Sequence, residues 1–139
     1  MFNQILNVFP DFLNYGLLAP TILRIILGVI VINLGYLKIT SEKERWLELF
    51  ETLNFRPTNV FLKVFSIIEV VGGIMLIAGI YTQVVALIFA ITYVCEAILD
   101  YEEESLVKRN LPFYILLCAI SVSLLLTGAG LFGVDITGL

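Results

Sequence analysis

The chain contains no histidine, and its two cysteines, Cys95 and Cys118, are far apart. These absences exclude bis-histidine haem and leave the ordinary transition-metal sites without imidazole or paired-thiolate donors. Nothing resembles a CxxC pair, so both cysteines read as small apolar core residues. No histidine base faces a serine or cysteine, which leaves nucleophilic catalysis without a candidate. The glycines lie inside apolar runs with no strand before them, so no phosphate-cradling or dinucleotide loop is present. Charge is also scarce, at 14% of residues, and the first seventeen carry no Lys or Arg. Without a basic n-region or a small-residue cleavage site, no removable signal peptide is expected there.

What remains is mostly hydrocarbon. Of 139 residues 60% are hydrophobic, and the mean hydropathy is +1.01. A soluble domain of this length could not cover so much apolar surface, which makes the class integral membrane protein. Four apolar runs, at residues 18–37, 60–80, 82–101 and 111–132, are each about the ~20 residues that span a hydrocarbon core. The expectation is an all-α protein, a single four-helix transmembrane bundle occupying residues 1–139. A short N-terminal interfacial helix should precede it, because Phe2, Ile5, Leu6, Phe9, Phe12 and Leu13 recur at helical spacing. An amphipathic helix is expected between the first two spans. Ser41 and Glu44 form a capping box, Trp46, Leu49, Phe50 and Leu53 share one face, and Trp46 is placed at headgroup depth.

Lys38, Lys43, Arg45, Arg56 and Lys63 flank or occupy the first connection, and Lys108 and Arg109 lie in the third. By the positive-inside rule these connections face the cytoplasm, with both termini outside a multi-pass cytoplasmic-membrane protein. The acidic residues 100–104 read as a solvated turn.

Charges inside the apolar runs carry the functional signal, since an ionised group in hydrocarbon costs at least a few kcal/mol and is usually paired. Arg24 interrupts the first run and Glu69 the second. Counting from span midpoints at a rise of about 1.5 Å per residue separates them by roughly 7 Å in depth, within reach of a guanidinium. Such a pair either fixes helix register or takes part in binding or proton handling. Asn33 and Glu96 fall at nearly equal depth and could face each other, although Glu96 is also near enough to its helix end to reach the interface. Lys38 falls near the boundary, where it can snorkel. The candidate binding residues are therefore Arg24, Asn33, Lys38, Glu69 and Glu96. Small residues add packing stripes: Arg24, Gly28, Val31, Gly35 and Lys38 on the first run, and Glu69, Gly72, Leu76 and Gly79 on the second, with Gly73 beside it. A fourth-run stripe of Ser121, Ser123, Thr127 and Gly128 should join them.

Several elements occur together in order: Leu23-Arg24 with Gly28, Gly35 with Lys38, Phe55-Arg56-Pro57, Glu69-Val70-Val71-Gly72-Gly73, Gly79 with Thr82, and Gly128-Ala129-Gly130 with Asp135. In this arrangement the chain resembles the DoxX family of small four-helix membrane proteins, from about residue 18 to 135. The resemblance implies a redox-linked accessory protein, since the family includes a subunit associated with an archaeal quinol oxidase and relatives found with thiosulfate:quinone oxidoreductase. It places the family's polar positions on Arg24, Lys38 and Glu69. Many relatives carry a histidine around the third span, which is missing here.

These readings combine into a non-catalytic subunit or accessory factor of a quinone-linked membrane redox system. It would have no intrinsic cofactor, and a quinone contact stays open, with Glu69 exchanging a proton beside Arg24. Two rivals stand beside it: a small oligomeric transporter using the buried charges as a path, and a chaperone or adaptor binding partner helices. The expected partners are the lipid bilayer and membrane oxidoreductase subunits or a second copy of the chain, with no nucleic acid.

Overall fold

The computed structural model of the chain describes residues 15–16, 18–54, 57–102 and 111–130. Among them the regular structure is entirely helical: α1 (Leu18–Ile39), α2 (Lys43–Thr52), α3 (Thr58–Ala78), α4 (Thr82–Glu102) and α5 (Leu111–Thr127). Two of these, α1 and α3, are long and apolar enough to cross a membrane. The expected N-terminal helix, Arg56, the connection with Lys108 and Arg109, and the tail with Asp135 lie outside the described residues.

Helix ends follow local chemistry. The second apolar run extends to residue 80, but α3 stops at Ala78 because Gly79 takes a left-handed φ of 73°. The Gly79 and Ile80 N–H groups then donate to the Leu76 and Met75 carbonyls, which satisfies the orphaned acceptors at the helix end. Likewise α5 ends at Thr127, short of the expected 132, where Gly128 turns left-handed at φ 78°. At the start of α2 the expected Ser41–Glu44 capping box is absent: Glu42 occupies the cap position and makes no side-chain cap bond. Its carboxylate instead accepts a long hydrogen bond from the Trp46 indole, at 3.5 Å.

Packing is uneven. Helix α1 lies most extensively against α3, and α4 against α5, with lighter contacts joining the two pairs. The main core runs between them through Leu27, Val31, Leu76, Phe89, Tyr114 and Leu124. A second cluster, Trp46, Leu49, Phe50 and Leu62, fastens α2 to α3, with the Phe50 and Phe65 rings stacked at 5.8 Å. Trp46 is thus buried in protein, while Glu48 and Glu51 are exposed as their helical phase predicts. The outward faces of all four long helices carry exposed Ile, Val and Leu, so the exterior is nearly as apolar as the core. Such helices suit lipid rather than water.

The α1–α3 contact depends on residues without side chains. A Cβ at Gly28 would lie 2.8 Å from the Gly73 carbonyl oxygen, and one at Gly73 would lie 2.8 Å from that of Gly28. Further along, a Cβ at Gly35 would stand 3.0 Å from the Ser66 carbonyl oxygen, while the Ser66 hydroxyl donates to the Gly35 carbonyl at 2.6 Å. Both expected stripes on these helices are buried. The fourth-run stripe is only partly so, since Ser121 is buried but Thr127 is exposed. Because the obstacle at Gly28 and Gly73 is backbone, Gly28→Ala and Gly73→Ala should each cost about 1–3 kcal/mol through overpacking. Thermal denaturation in detergent measures the loss, and Gly128→Ala, where no atom lies within 4 Å but φ is positive, serves as a strain-only control.

Candidate functional site

The glycine contacts set the register of the antiparallel pair: Gly28 is level with Gly73 and Gly35 with Ser66. Extended along the helices, this register puts Glu69 level with Ile32 and Arg24 level with Ile77. Arg24 and Glu69 are then eight residues apart, about 12 Å, rather than the roughly 7 Å expected from span midpoints. Side-chain direction widens the gap. Helical side chains lean toward their own N-terminus, so in antiparallel helices Arg24 and Glu69 lean away from each other. Lys38 and Glu69 lean toward each other.

The charges meet accordingly. The Lys38 ammonium donates to Glu69 Oε1 at 2.7 Å and also to Glu96 Oε1 on α4. All three side chains are buried: Lys38 is 3% exposed, Glu69 0% and Glu96 5%. The expected Arg24–Glu69 pair is therefore replaced by a Lys38–Glu69–Glu96 triad. Lys38 does not snorkel and Glu96 does not reach the interface; each lies in the interior because the other supplies its counter-charge. The Trp46 ring covers the ammonium, with its centroid 4.5 Å from Nζ, a cation–π contact that lets α2 close this end of the site. Arg24 is equally buried, about 21 Å along α1 from Lys38. Its Nη1 donates to the Ala129 carbonyl at 3.0 Å, which ties α1 to the segment leaving α5.

Asn33 does not face Glu96. Five residues before Lys38, it lies roughly 140° around the helix and is exposed on the outer surface of α1. Sequence reasoning also passed over Tyr93. One turn before Glu96 on α4, its hydroxyl faces Glu69 and Glu96. It makes no hydrogen bond of ordinary geometry, and Glu69 Oε2 likewise lacks a partner. The signal was available: Phe89, Tyr93 and Glu96 follow a spacing of four and three, which puts them on one helical face. Phe89 closes the same face one turn further on, its ring occupying the space a side chain at Gly72 would fill. Among the described residues no three His, Cys, Asp or Glu side chains converge as a metal set.

The site can therefore hold one cation between two carboxylates, with a phenol O–H and a carboxylate oxygen left over as an adjacent donor and acceptor. Lys38→Met strands two buried carboxylates and should destabilise by about 3–5 kcal/mol, whereas Lys38→Met combined with Glu69→Gln should lose much less than the sum of the two. Arg24→Met and Glu69→Gln should instead be additive to within about 0.5 kcal/mol. Denaturation of the three single and two double variants in one detergent separates the two pairings.

The curated protein CatD of Bacillus subtilis (strain 168), provisionally named an oxidoreductase, is 28% identical over 118 residues, covering 85% of each chain. No solved structure matches. The family model named DoxX matches residues 19–100, a stretch that carries Arg24, the glycine contacts and all three members of the triad. The chain belongs to the DoxX family, whose proteins are membrane-associated.

Proposed function

We propose that the chain is a four-span protein of the cytoplasmic membrane, acting as a non-catalytic subunit or accessory factor of a quinone-linked redox system. One observation carries the reading: Glu69 Oε2 and the Tyr93 hydroxyl are buried facing each other, and neither completes a hydrogen bond of ordinary geometry. A quinone ring presents an acceptor carbonyl and a quinol ring a donor hydroxyl, so this pair fits the head group in either state. When bound, a quinone would supply the electron-carrying chemistry. The chain's own part is to accept or return a proton at Glu69 Oε2, to hold that carboxylate through Lys38, and to offer the Tyr93 O–H as a donor.

Surroundings favour the same ligand. An apolar groove of about 370 Å³ runs between α3 and α4, walled by Val71, Gly72, Met75, Val84, Ile88 and Phe89, and it ends one turn from Glu69. It offers a prenyl tail an apolar bed beside the polar pair. The oxidoreductase name of CatD points in the same direction. A transport path through Arg24, Glu69 and Glu96 is disfavoured, because fully buried Leu27 and Val31 lie on α1 between Arg24 and the triad.

In this reading α2 and the basic connections face the cytoplasm and both termini lie outside. In intact cells, Ser105→Cys introduced with Cys95→Ala and Cys118→Ala should resist an impermeant thiol reagent and react only in inside-out vesicles; labelling of whole cells overturns the orientation. For the function itself, a panel of quinones should raise the melting temperature of detergent-purified wild type in a concentration-dependent way, and Glu69→Gln and Tyr93→Phe should each lose the shift. No shift with any quinone would leave the triad a purely structural clamp.

A further inference from the structure

The outer face of α1 has no partner among the described helices, and its pattern is regular. Ile22, Ile26, Val29, Asn33 and Tyr36 are spaced four, three, four and three residues apart, and all are exposed. Ile22 is 55% exposed, Val29 56% and Tyr36 59%. This 3.5-residue repeat is the seam of a left-handed helix pair, and it lies opposite the glycine-rich stripe that α3 occupies. One residue breaks its apolar character. Asn33 lies well inside the apolar length of α1 and makes no hydrogen bond, and its side chain leans toward the middle of the helix rather than toward the near end. In a spanning helix that amide has neither water nor a protein partner, and leaving it so in hydrocarbon is costly.

We propose that the α1 seam is the interface of a symmetric dimer, two copies of this chain packing α1 against α1 with Asn33 paired to Asn33. The amide itself selects the occupant. It carries an acceptor oxygen and two N–H donors, so it complements its own copy across a two-fold axis and each side chain satisfies the other. Copies inserted in the same orientation bring their α1 helices together in parallel, which sets equivalent seam positions opposite each other. A single asparagine in an apolar seam fixes register and a two-stranded state in this way. The seam has no small residues, so it packs knobs into holes and leaves the Gly28 and Gly35 face to α3.

This inference rests on α1 spanning the membrane and is independent of the quinone reading. Its test uses the full chain in native membrane vesicles with Cys95→Ala and Cys118→Ala. Ile26→Cys and Val29→Cys, the two seam positions just before Asn33 that leave it intact, should each give a disulfide-linked homodimer on mild oxidation. Leu116→Cys, 59% exposed on α5, should not. Adding Asn33→Leu should weaken self-association about tenfold in a detergent dilution series, since an interhelical polar pair in a membrane is worth roughly 1–2 kcal/mol. Monomers only, equal crosslinking at Leu116→Cys, a crosslink to a different protein, or a dimer indifferent to Asn33→Leu would each overturn the proposal. Loss of the protein from the membrane fraction would instead overturn the spanning of α1.

Discussion

The backbones of α1 and α3 touch where neither helix has a side chain, at Gly28 and Gly73, and that contact decides which charge of α1 comes level with Glu69 of α3. A methyl group at either place would run into a carbonyl oxygen that cannot rotate away, so the two helices have one register at which they close. That register puts Glu69 nearer to the end of α1 that carries Lys38 than to the end that carries Arg24. The choice of Lys38 over Arg24 as the partner of Glu69 thus agrees with the register at which the two backbones close.

Once placed, the triad joins the two helix pairs. Lys38 comes from α1, Glu69 from α3 and Glu96 from α4, so a single ammonium bridges a boundary that is otherwise lightly packed. Two formal negative charges against one positive leave the cluster short of neutrality in a medium that screens poorly. The Trp46 ring lowers that cost for the cation alone. For Glu69, the second carboxylate oxygen faces the Tyr93 hydroxyl without a hydrogen bond of ordinary geometry, which sets an acceptor and a donor next to the triad.

Much of this was legible in the sequence. Apolar runs and glycine stripes gave the long helices and the faces that meet, because both signals arise from packing periodicity and survive without knowledge of the partner. Helix ends were less secure: Gly79 and Gly128 lie inside hydrophobic stretches, and hydropathy does not register a left-handed φ. Sequence reading finds Arg24 and Glu69 as interior charges but pairs them with each other, and it sets Lys38 at the boundary and Glu96 within reach of the interface, whereas Lys38 joins both carboxylates in the interior. Depth counted from span midpoints carries an error of several residues, while the lean of helical side chains toward their N-termini, which separates Arg24 from Glu69 and joins Lys38 to it, needs no midpoint at all. Asn33 is expected to face Glu96 but lies on the outer face of α1, where helical phase counted from Lys38 turns it. Tyr93 went unnoticed because an aromatic residue in an apolar run looks like core until its hydroxyl is asked for a partner.

The pairing of Lys38 with Glu69 also bears on how the chain reaches its membrane. The two residues are separated by α2 and the first half of α3, so the ammonium is synthesised and presented well before its first carboxylate. Passing α1 alone into lipid would carry Lys38, besides Arg24, without its carboxylates, and passing α3 alone would carry Glu69 without its cation. Entering as a preformed hairpin, with α2 still on the aqueous side and the glycine faces already closed, the pair crosses as a neutral unit. The insertion machinery therefore handles α1 and α3 most cheaply together, and Glu96 arrives later on α4 to a cation that is already housed.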